Sequence, residues 1–453
     1  MLENKKILIA GAGVSGIGAA RLLGKAGLGA AIYDGNQNLD KEKIKKQLPE
    51  GMELRFLLGE FQKELSEEYD MLILSPGISV NSSIATSFFE KGKTVWGEIE
   101  LAAHFAKGRI AAITGTNGKT TTTALVGEIL KTWYDSVFVV GNIGIPFTSV
   151  ALDTEESSVI AAEISSFQLE TTDAFHPEVS AVLNLTPDHL DRHGTMEVYG
   201  ETKLSISKRQ GKTEKIILNY DDENTRAMAE KTAACPVMFS RKKMLPEGIV
   251  LSGDVFVIRD GGRDIPVCTT GEIHLLGTHN YENILAAIGI TYYMGVPVEK
   301  IRQAVMEFRA VEHRIEYVDT VDGVDYYNDS KGTNPDAAIK GIQAMVKPTV
   351  LLAGGYDKKA KYDSWIQSFD GKVTCLIVMG ETAEAIAGTA REQGFENVLH
   401  ARSLEEAMEM AREQAAAGDA VLLSPACASW GMFPNYEVRG KKFKEIVRSF
   451  KER

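Results

Sequence analysis

The chain has 453 residues, a length that predicts several domains rather than one core. Apolar residues make up 44% and charged residues 25%, a balance that is typical of a folded globular protein and excludes a disordered or fibrous chain. Acidic residues outnumber basic ones by 62 to 50, and the net charge of −12 argues against nucleic acid or an anionic membrane as a partner.

No apolar stretch approaches the length of about 18 residues that a membrane span needs. The N-terminal segment runs directly into a strand and lacks the long apolar core of a signal peptide. We therefore expect a cytoplasmic protein. Its four cysteines have neither the spacing of a zinc site nor that of a disulfide framework, so we expect reduced thiols.

The first block of the chain alternates strand-like and helical stretches. An apolar run at 7–10 enters a glycine turn, a helical stretch continues to residue 26, and a second strand ends at Asp34, which together predict a βαβ unit. A buried strand at 71–74, a helix at 84–91 and a strand at 94–96 complete this block, which we expect to end near Gly97.

The glycine turn of this block has the spacing Gly11-x-Gly13-x-x-Gly16, and Asp34 ends the next strand. The pattern fits the binding of a nicotinamide or flavin dinucleotide, and it fits a nucleoside diphosphate equally well. It also occurs where the turn has only a structural use, so the motif alone leaves three interpretations open.

A second α/β block begins at Arg109. Its predicted strands are 110–114, 136–140, 159–164, 180–185 and 215–218, and the helical stretches between them favour a mostly parallel sheet. Between 236 and 277, short β-prone runs broken by the glycine turns at 252–254 and 260–262 predict small antiparallel ribbons in an appended layer.

Helical spacing returns at 280–294 and 298–308. Asp322-Gly323, between two β-prone runs, then predicts a hairpin that opens a third block. Strands at 350–353, 375–379 and 420–423 alternate with helical segments, and the last predicted helix is 438–450. The whole pattern predicts an α/β protein.

The strongest local signal is the segment 113–121, Ile-Thr-Gly-Thr-Asn-Gly-Lys-Thr-Thr, in which a strand enters a glycine turn just before a helix. A phosphate chain needs approachable backbone N–H groups, a helix N-terminus, an ammonium group and a hydroxyl for Mg²⁺. Gly118, Lys119 and Thr120 supply these groups. The strict phosphate-loop pattern also has a glycine where this chain has Ile113, so the motif is a variant of it.

Seven motifs in this order resemble those of the Mur ligase family, and the resemblance covers essentially the whole chain. They are the segments 115–121, 163–170, 188–193, 277–283, 313–314, 328–334 and 424–430. Within the family, the run Ser-Ser-Phe-Gln-Leu-Glu at 165–170 and the run Ser-Pro-Ala-Cys-Ala-Ser at 424–429 resemble the member that adds D-glutamate.

The resemblance implies three domains. These are a Rossmann-like domain for the UDP end of the substrate (1–97), a central phosphate-loop ATPase domain with a mostly parallel sheet and a small antiparallel layer (98–310), and a Rossmann-like C-terminal domain for the incoming amino acid (311–453). It also implies an ATP-dependent amide ligase that adds D-glutamate to UDP-N-acetylmuramoyl-L-alanine through an acyl phosphate, in peptidoglycan precursor synthesis. ATP and two Mg²⁺ ions are the implied cofactors, and we expect a monomer that acts on small molecules.

A carboxylate that attacks a phosphoryl group brings two anions together, so the site needs cations. By resemblance, Lys119 serves the phosphates, while Thr120, Glu163, His189 and Lys203 serve the metal ions. Lys203 matches a lysine that the family carries as a carbamate. This modification is chemically required for the role, because an ammonium group cannot bind Mg²⁺ whereas a carbamate offers carboxylate-like oxygens.

The remaining site residues also rest on the resemblance. The implied ATP contacts are Gly115, Thr116, Asn117, Gly118, Lys119, Thr120, Thr121, Asn280, Asn283, Arg314 and Asp329. The implied contacts to the UDP-linked substrate are Val14, Ser15, Ser75, Pro76, Gly77, Asn142, Ser165 and His189. The implied D-glutamate pocket consists of Lys331, Thr333, Lys358, Ser429 and Tyr436.

The sequence departs from the family at two places. Gly35-Asn36 follows Asp34 where some members have Thr-Arg, which leaves the uracil contacts open, and the alignment at 354–359 leaves both Lys358 and Lys359 eligible for the D-glutamate pocket.

Other functions explain only part of the pattern, and another Mur-type ligase is one of them. A folylpolyglutamate synthase shares the chemistry but lacks the Ser-Ser-Phe-Gln-Leu-Glu run. An NAD-dependent oxidoreductase would explain the first block and leave Gly118-Lys119-Thr120 without a use. A non-catalytic nucleotide sensor would not need Glu163, His189 and Lys203 together.

Overall fold

The structure is a computed structural model that describes residues 2–142, 145–275, 277–309, 311–357 and 359–451. The chain divides into two units, of which the first comprises Met1–Glu272 and Tyr281–Met306 and the second Ile273–Asn280 and Glu307–Arg453. The first unit contains two sheets and the second contains one. The three predicted domains, with boundaries at 97/98 and 310/311, stay a prediction.

The first sheet has five parallel strands, as the βαβ pattern predicts. Helices that cross between parallel strands cover the faces of such a sheet. Two of its three inner strands, β1 and β4 below, are accordingly buried at every position. The strands are β1 (Ile7–Ala10), β2 (Ala30–Asp34), β3 (Leu54–Leu58), β4 (Met71–Leu74) and β5 (Thr94–Gly97), in the spatial order β3-β2-β1-β4-β5. The helices are α1 (Val14–Lys25), α2 (Lys41–Lys45), α3 (Leu65–Glu68), α4 (Ser83–Phe89) and α5 (Glu98–Phe105).

Helix α4 ends at Phe89, two residues before the predicted end. Gly92 has a φ of 63°, in the left-handed region that commonly closes a helix, and its N–H donates to the carbonyl oxygen of Phe89.

The second sheet has nine strands, in the order β14-β13-β12-β11-β10-β9-β6-β8-β7. They are β6 (Arg109–Thr114), β7 (Val137–Gly141), β8 (Val159–Glu163), β9 (Val179–Val182), β10 (Lys215–Asn219), β11 (Cys235–Ser240), β12 (Gly248–Ser252), β13 (Val255–Asp260) and β14 (Arg263–Thr269). Its helices are α6 (Lys119–Lys131), α7 (Ser166–Leu169), α8 (Leu190–His193), α9 (Met196–Leu204), α10 (Glu223–Ala227), α11 (Thr278–Tyr293) and α12 (Val298–Glu307).

The antiparallel part predicted between 236 and 277 is present, but it is not a separate layer. Strands β11 and β12 still pair in parallel, and only β12, β13 and β14 form an antiparallel meander that extends the edge of the same sheet. Pro266 of the outer strand lies opposite Val257, at a register shift between β13 and β14.

The third sheet, in the second unit, has six strands, in the order β15-β16-β20-β17-β18-β19. They are β15 (Glu316–Val321), β16 (Val324–Asn328), β17 (Thr349–Gly354), β18 (Val373–Met379), β19 (Val398–His400) and β20 (Ala420–Leu423), with helices α13 (Pro335–Ala344), α14 (Asp363–Gln367), α15 (Ala383–Glu392), α16 (Leu404–Gln414) and α17 (Tyr436–Lys451). The predicted hairpin is confirmed. Asp322 and Gly323 both have positive φ, 53° and 79°, which a two-residue turn between twisted strands favours.

One hydrophobic core joins the two sheets of the first unit. Trp96 of β5 and Ile99 of α5 belong to the same buried cluster as Phe147, which follows β7, and Ile164, which follows β8. Within the described ranges, no helix combines the length and the apolar character that crossing a bilayer requires.

Candidate active site

The phosphate loop lies between the end of β6 at Thr114 and the start of α6 at Lys119. Gly118 precedes the helix with a φ of 84°, in the left-handed region. A Cβ atom at this position would lie 2.2 Å from Oδ1 of Asn283, so both the backbone angle and the space require glycine. The loop can therefore present its backbone N–H groups at the N-terminus of a long helix.

Asn184, in the segment after β9, holds this loop in place. Its Oδ1 accepts from the N–H of Asn117 at 2.8 Å, and its Nδ2 donates to the carbonyl oxygen of Asn117 at 3.0 Å. Asn184 was not among the predicted site residues, although its position just after a strand that neighbours β6 was a usable signal.

Two lysines lie against the loop. Nζ of Lys119 donates to the carbonyl oxygens of Gly115 and Thr116, both at 2.9 Å, and Nζ of Lys203 on α9 donates to that of Gly115, also at 2.9 Å. Lys203 is 1% exposed and stands over the ring of Tyr199, 4.6 Å from its centroid. Burial, and next the charge of Lys119, lower the pKa of Lys203 to about 7.

Glu163 ends β8, next to β6, and is 1% exposed. Its Oε1 accepts from Nδ2 of Asn142 at 2.9 Å. Its Oε2 has no hydrogen-bond partner among the described residues. A buried carboxylate oxygen without a partner is costly, and a bound cation would satisfy it.

His189 is placed differently from the other predicted metal ligands, because its side chain is 47% exposed. Its backbone is left-handed, with a φ of 52°, and its ring lies 4.8 Å from that of Phe167. Nε2 is 3.4 Å from Oδ2 of Asp188. Thr120, by contrast, is buried in the first turn of α6.

The donor chemistry fits Mg²⁺, which prefers oxygen ligands and keeps several waters. Across the described segments, no three His, Cys, Asp or Glu side chains form a cluster that could hold a metal ion. The predicted set contains only Glu163 and His189 of these types, so further oxygens would have to come from the Thr120 hydroxyl and from a modified Lys203. The partnerless oxygen of Glu163 is the observation that fits a cation here.

A cavity of about 520 Å³ in the first unit is lined by most of the residues predicted to contact the UDP-linked substrate. Ser75 is not among its lining residues, and its hydroxyl approaches the carbonyl oxygen of Gly11 at 3.5 Å. Glu163 does not line the cavity either, although its hydrogen-bond partner Asn142 does. The lining residues are Val14, Ser15, Pro76, Gly77, Glu98, Lys119, Gly141, Asn142, Pro146, Ser165, Ser166, Phe167, Gln168, His189, Tyr199 and Lys203.

The N-terminal glycine turn adjoins this cavity through Val14 and Ser15. Asp34 is occupied with the turn itself, because its Oδ2 accepts from the N–H of Ala12 at 2.8 Å and its Oδ1 from that of Asn36 at 2.9 Å. These contacts give Asp34 a structural role.

The two asparagines predicted at the nucleotide lie in the first two turns of α11, and both are buried. Oδ1 of Asn283 accepts from the hydroxyl of Thr122 at 3.4 Å, which places Asn283 against the first turn of α6. The backbone N–H of Asn280 donates to the carbonyl oxygen of Gly277 at 2.9 Å.

In the second unit, Asp329 is buried directly after the last residue of β16. Its Oδ2 accepts from the hydroxyl of Ser424 at 2.6 Å and its Oδ1 from the N–H of Ile315 at 3.3 Å. Burial raises the pKa of Asp329 to about 7, against the opposing effects of the Ser424 hydrogen bond and the charge of Arg314.

Of the predicted D-glutamate residues, Lys331 and Tyr436 come together, with Nζ of Lys331 5.8 Å from the Tyr436 ring centroid. Burial raises the pKa of Tyr436 to about 12. Ser429 is buried, and Thr333 donates its N–H to the carbonyl oxygen of Lys331 at 2.8 Å. Lys358 lies outside the described residues, whereas Lys359 is exposed.

Arg439 of α17, which the sequence analysis did not single out, joins the two loops that carry these residues. Its guanidinium donates to the carbonyl oxygen of Ser330 at 2.9 Å and to that of Cys427 at 3.2 Å. Ser330 precedes Lys331, and Cys427 lies two residues before Ser429.

Comparisons with known proteins cover the same regions. Family models match the Mur ligase MurD-like N-terminal domain at residues 5–97, the Mur ligase middle domain at 113–291 and the Mur ligase glutamate ligase domain at 313–427.

Two curated relatives are both called UDP-N-acetylmuramoylalanine--D-glutamate ligase. The one from Lachnoclostridium phytofermentans is 50% identical and the one from Lachnospira eligens 49%, and in both cases the match spans 99% of each chain.

Solved structures show the same fold at lower identity. The chain is similar to UDP-N-acetylmuramate-alanine ligase MurC from Thermotoga maritima, with a TM-score of 0.60 and 17% identity over 98% of this chain and 100% of that one. It is also similar to MurF from Acinetobacter baumannii, with a TM-score of 0.62 and 15% identity over 92% and 91% of the two chains. From three matching domain models and relatives about half identical over their full length, we conclude that this chain belongs to the Mur ligase family, among its D-glutamate ligases.

Proposed function

We propose that this chain joins D-glutamate to UDP-N-acetylmuramoyl-L-alanine at the expense of ATP, in the cytoplasmic synthesis of peptidoglycan precursors. The observation that carries the proposal is the combination of a phosphate loop with the buried, partnerless carboxylate oxygen of Glu163 in the same unit. The full-length identity to relatives of that name supports the choice of substrates.

The reaction has two steps. A carboxylate oxygen of the alanyl group attacks the γ-phosphorus, and the bond from that phosphorus to the leaving ADP breaks. The amine nitrogen of D-glutamate then attacks the acyl carbon, loses a proton and expels phosphate. Both partners of the first step are anions, so positive charge at the reacting groups lowers its barrier.

Lys119 supplies fixed positive charge. In the structure its Nζ is held by two carbonyl oxygens of the loop, and we propose that it turns from them to the phosphate oxygens of ATP. Gly118 and the N-terminal turn of α6 offer backbone N–H groups to the same phosphates. Asn283 lies against this turn, and Asn280, Arg314 and Asp329 are proposed to complete the nucleotide site.

We propose that two Mg²⁺ ions bind here, held by Thr120, Glu163, His189 and a carbamate on Lys203. When bound, Mg²⁺ would neutralise the charge that develops on the phosphoryl oxygens. Lys203 suits carbamate formation because its buried amine has a lowered pKa, and the neutral amine is the form that adds to CO₂.

The residues proposed to contact the UDP-linked substrate belong to the first unit, and those proposed to contact D-glutamate belong to the second. Val14, Ser15, Pro76, Gly77, Asn142, Ser165 and His189 line the cavity of the first unit and are proposed to contact the UDP-linked substrate, together with Ser75. Lys331, Thr333, Ser429, Tyr436 and one of Lys358 and Lys359 are proposed to bind D-glutamate, a dicarboxylate that cations and hydroxyls recognise.

A coupled assay of ADP release tests the proposal. ADP should appear only when the UDP-muramoyl-alanine substrate, D-glutamate and Mg²⁺-ATP are all present. Release with a folate and L-glutamate in their place would make the chain a folylpolyglutamate-type ligase, and reduction of NAD without ATP use would make it an oxidoreductase. Light scattering tests the accompanying proposal of a monomer.

A further inference from the structure

A buried row of three side chains borders the cavity and has no part in the chemistry proposed above. Nε2 of His193 lies 3.0 Å from the hydroxyl oxygen of Ser166, which lines the cavity. On the other side of the ring, Nδ1 lies 3.7 Å from Oε1 of Glu170. The side chain of His193 is 2% exposed and that of Glu170 10%.

Arg192 fixes the acidic end of this row. Its guanidinium pairs with both carboxylate oxygens of Glu170 and donates to the carbonyl oxygens of Pro76 at 2.8 Å and Ile78 at 3.2 Å. The same guanidinium lies 4.2 Å from the centroid of the Phe167 ring. Glu170 therefore has little freedom to turn away from the histidine.

These partners determine which nitrogen of His193 carries the proton. Burial lowers the pKa of His193, against the opposing effect of the Glu170 charge, and so favours the neutral ring. The Glu170 carboxylate, 3.7 Å from Nδ1, favours the proton on that nitrogen. Nε2 is then an acceptor, and the Ser166 hydroxyl must donate to it. In the described part of the chain His193 is the one hydrogen-bond partner of that hydroxyl. The lone pairs of Ser166 Oγ are thus left for an N–H donor in the cavity.

We propose that Oγ of Ser166 accepts a hydrogen bond from an amide N–H of the UDP-linked substrate, and that His193 is a positioning residue that keeps this oxygen an acceptor. The inference rests on the proposed function, which puts that substrate in the cavity. The substrate has two amide N–H groups near the reacting end, one in the alanyl linkage and one in the acetamido group of the sugar. Ser166 would select substrates with a donor at that point.

The variants S166A, H193F, H193Q and S166A/H193F test the row. Affinity for the UDP-linked substrate, measured by calorimetry without ATP, should fall about tenfold in S166A and in H193F, the scale of one lost hydrogen bond. The double variant should lose no more than either single one, because both remove the same interaction. H193Q should stay within about threefold of the parent, since the Gln amide oxygen can accept where Nε2 does.

Substrate analogues identify the donor. One carries an ester oxygen in place of the alanyl N–H, and the other in place of the acetamido N–H. The parent protein should bind one of the two esters about tenfold more weakly than it binds the natural amide substrate. S166A should bind that ester and the amide equally well. Equal binding of both esters by the parent protein, or additive losses in the double variant, would overturn the proposal.

Ser180 provides a matched control. It is a buried serine whose hydroxyl donates to a buried side chain, Oε1 of Gln210 at 2.6 Å, and it does not line the cavity. S180A should leave substrate affinity unchanged. If H193F does not fold, H193Q and S166A still carry the test. A parent protein that neither binds nor turns over the UDP-linked substrate would instead refute the proposed function.

Discussion

Lys119 and Lys203 donate to one and the same acceptor, the carbonyl oxygen of Gly115, each at 2.9 Å. Two ammonium groups that share one neutral acceptor repel each other, and the charge of Lys119 is the second cause, after burial, of the lowered pKa of Lys203. The pair is therefore relieved either when an anion arrives or when Lys203 loses its charge. Both events belong to the proposed reaction, as ATP binding and as carbamate formation.

The first prediction concerns carbamate formation at Lys203. The pKa of about 7 means that the neutral amine is lost as the pH falls through 7, so activity should fall there and should also fall when CO₂ is removed at pH 8. Lys203→Ala should be inactive and partly restored by a small carboxylic acid. Lys208→Ala, which removes an exposed lysine paired with Asp173, is the control and should match the parent protein. Full activity of Lys203→Ala without added acid would rule the carbamate out.

The second prediction concerns Lys119. Its side chain contacts loop carbonyls and serves charge rather than packing, so Lys119→Ala should keep the thermal unfolding of the parent protein and lose more than about 10²-fold in kcat. Lys131→Ala removes an exposed lysine at the other end of α6, paired with Glu128, and should change neither property. Near-normal ADP release by Lys119→Ala would contradict the phosphate-loop assignment.

The third prediction concerns the partnerless oxygen of Glu163. Glu163→Gln keeps the acceptor for Asn142 and removes a buried charge, so the metal-free variant should be more stable by about 1–2 kcal/mol while its activity is lost. Mg²⁺ with nucleotide should raise the unfolding temperature of the parent protein more than that of the variant. Denaturant unfolding and ADP release measure the two effects.

Glu100 is the control for this substitution. It is also buried, but its carboxylate accepts from the backbone N–H groups of Asp173, Ala174 and Phe175. Glu100→Gln would aim an amide N–H₂ at these donors, and we expect a loss of stability of about 1–3 kcal/mol. If both glutamine variants shift stability in the same direction, the interpretation of Glu163 is wrong.

The fourth prediction concerns Asp329. Its folded-state pKa, about 7, is above the value of 3.8 expected in the unfolded chain, so the folded state binds more protons between these two pH values. The parent protein should therefore lose stability relative to Asp329→Asn as the pH rises from 4 to 7, by a few kcal/mol at about 1.4 kcal/mol per pKa unit. Above pH 8 the difference should be constant. Denaturant unfolding of both proteins across this range measures the difference in stability. A difference that does not change with pH would contradict the raised pKa of the buried carboxyl group.

The sequence predicted the elements whose pattern is local. The βαβ start, the strand and helix that flank the phosphate loop and the Asp322-Gly323 hairpin follow from apolar runs and turn residues a few positions apart. The pairing of β11 and β12 with the parallel sheet was missed because strand partners are not encoded in the run itself.

The same limit applies to the site. That the phosphate loop follows one strand and Glu163 ends its neighbour could be inferred from strand positions. Other features depend on side chains that meet only after folding. They are the burial of Lys203, the hydrogen bonds from Asn184 to the phosphate loop, and the row that runs from Arg192 to Ser166. Their roles could not be deduced from spacing.

The antiparallel meander determines which strand forms one edge of the nine-stranded sheet. An outer strand exposes unpaired backbone groups on which a second chain can add a strand and begin aggregation. The outer strand β14 contains Pro266, which has no N–H to offer, and its first two residues, Arg263 and Asp264, are exposed charges. The meander thus ends this edge of the nine-stranded sheet with a strand that is poorly suited to pairing with a second chain.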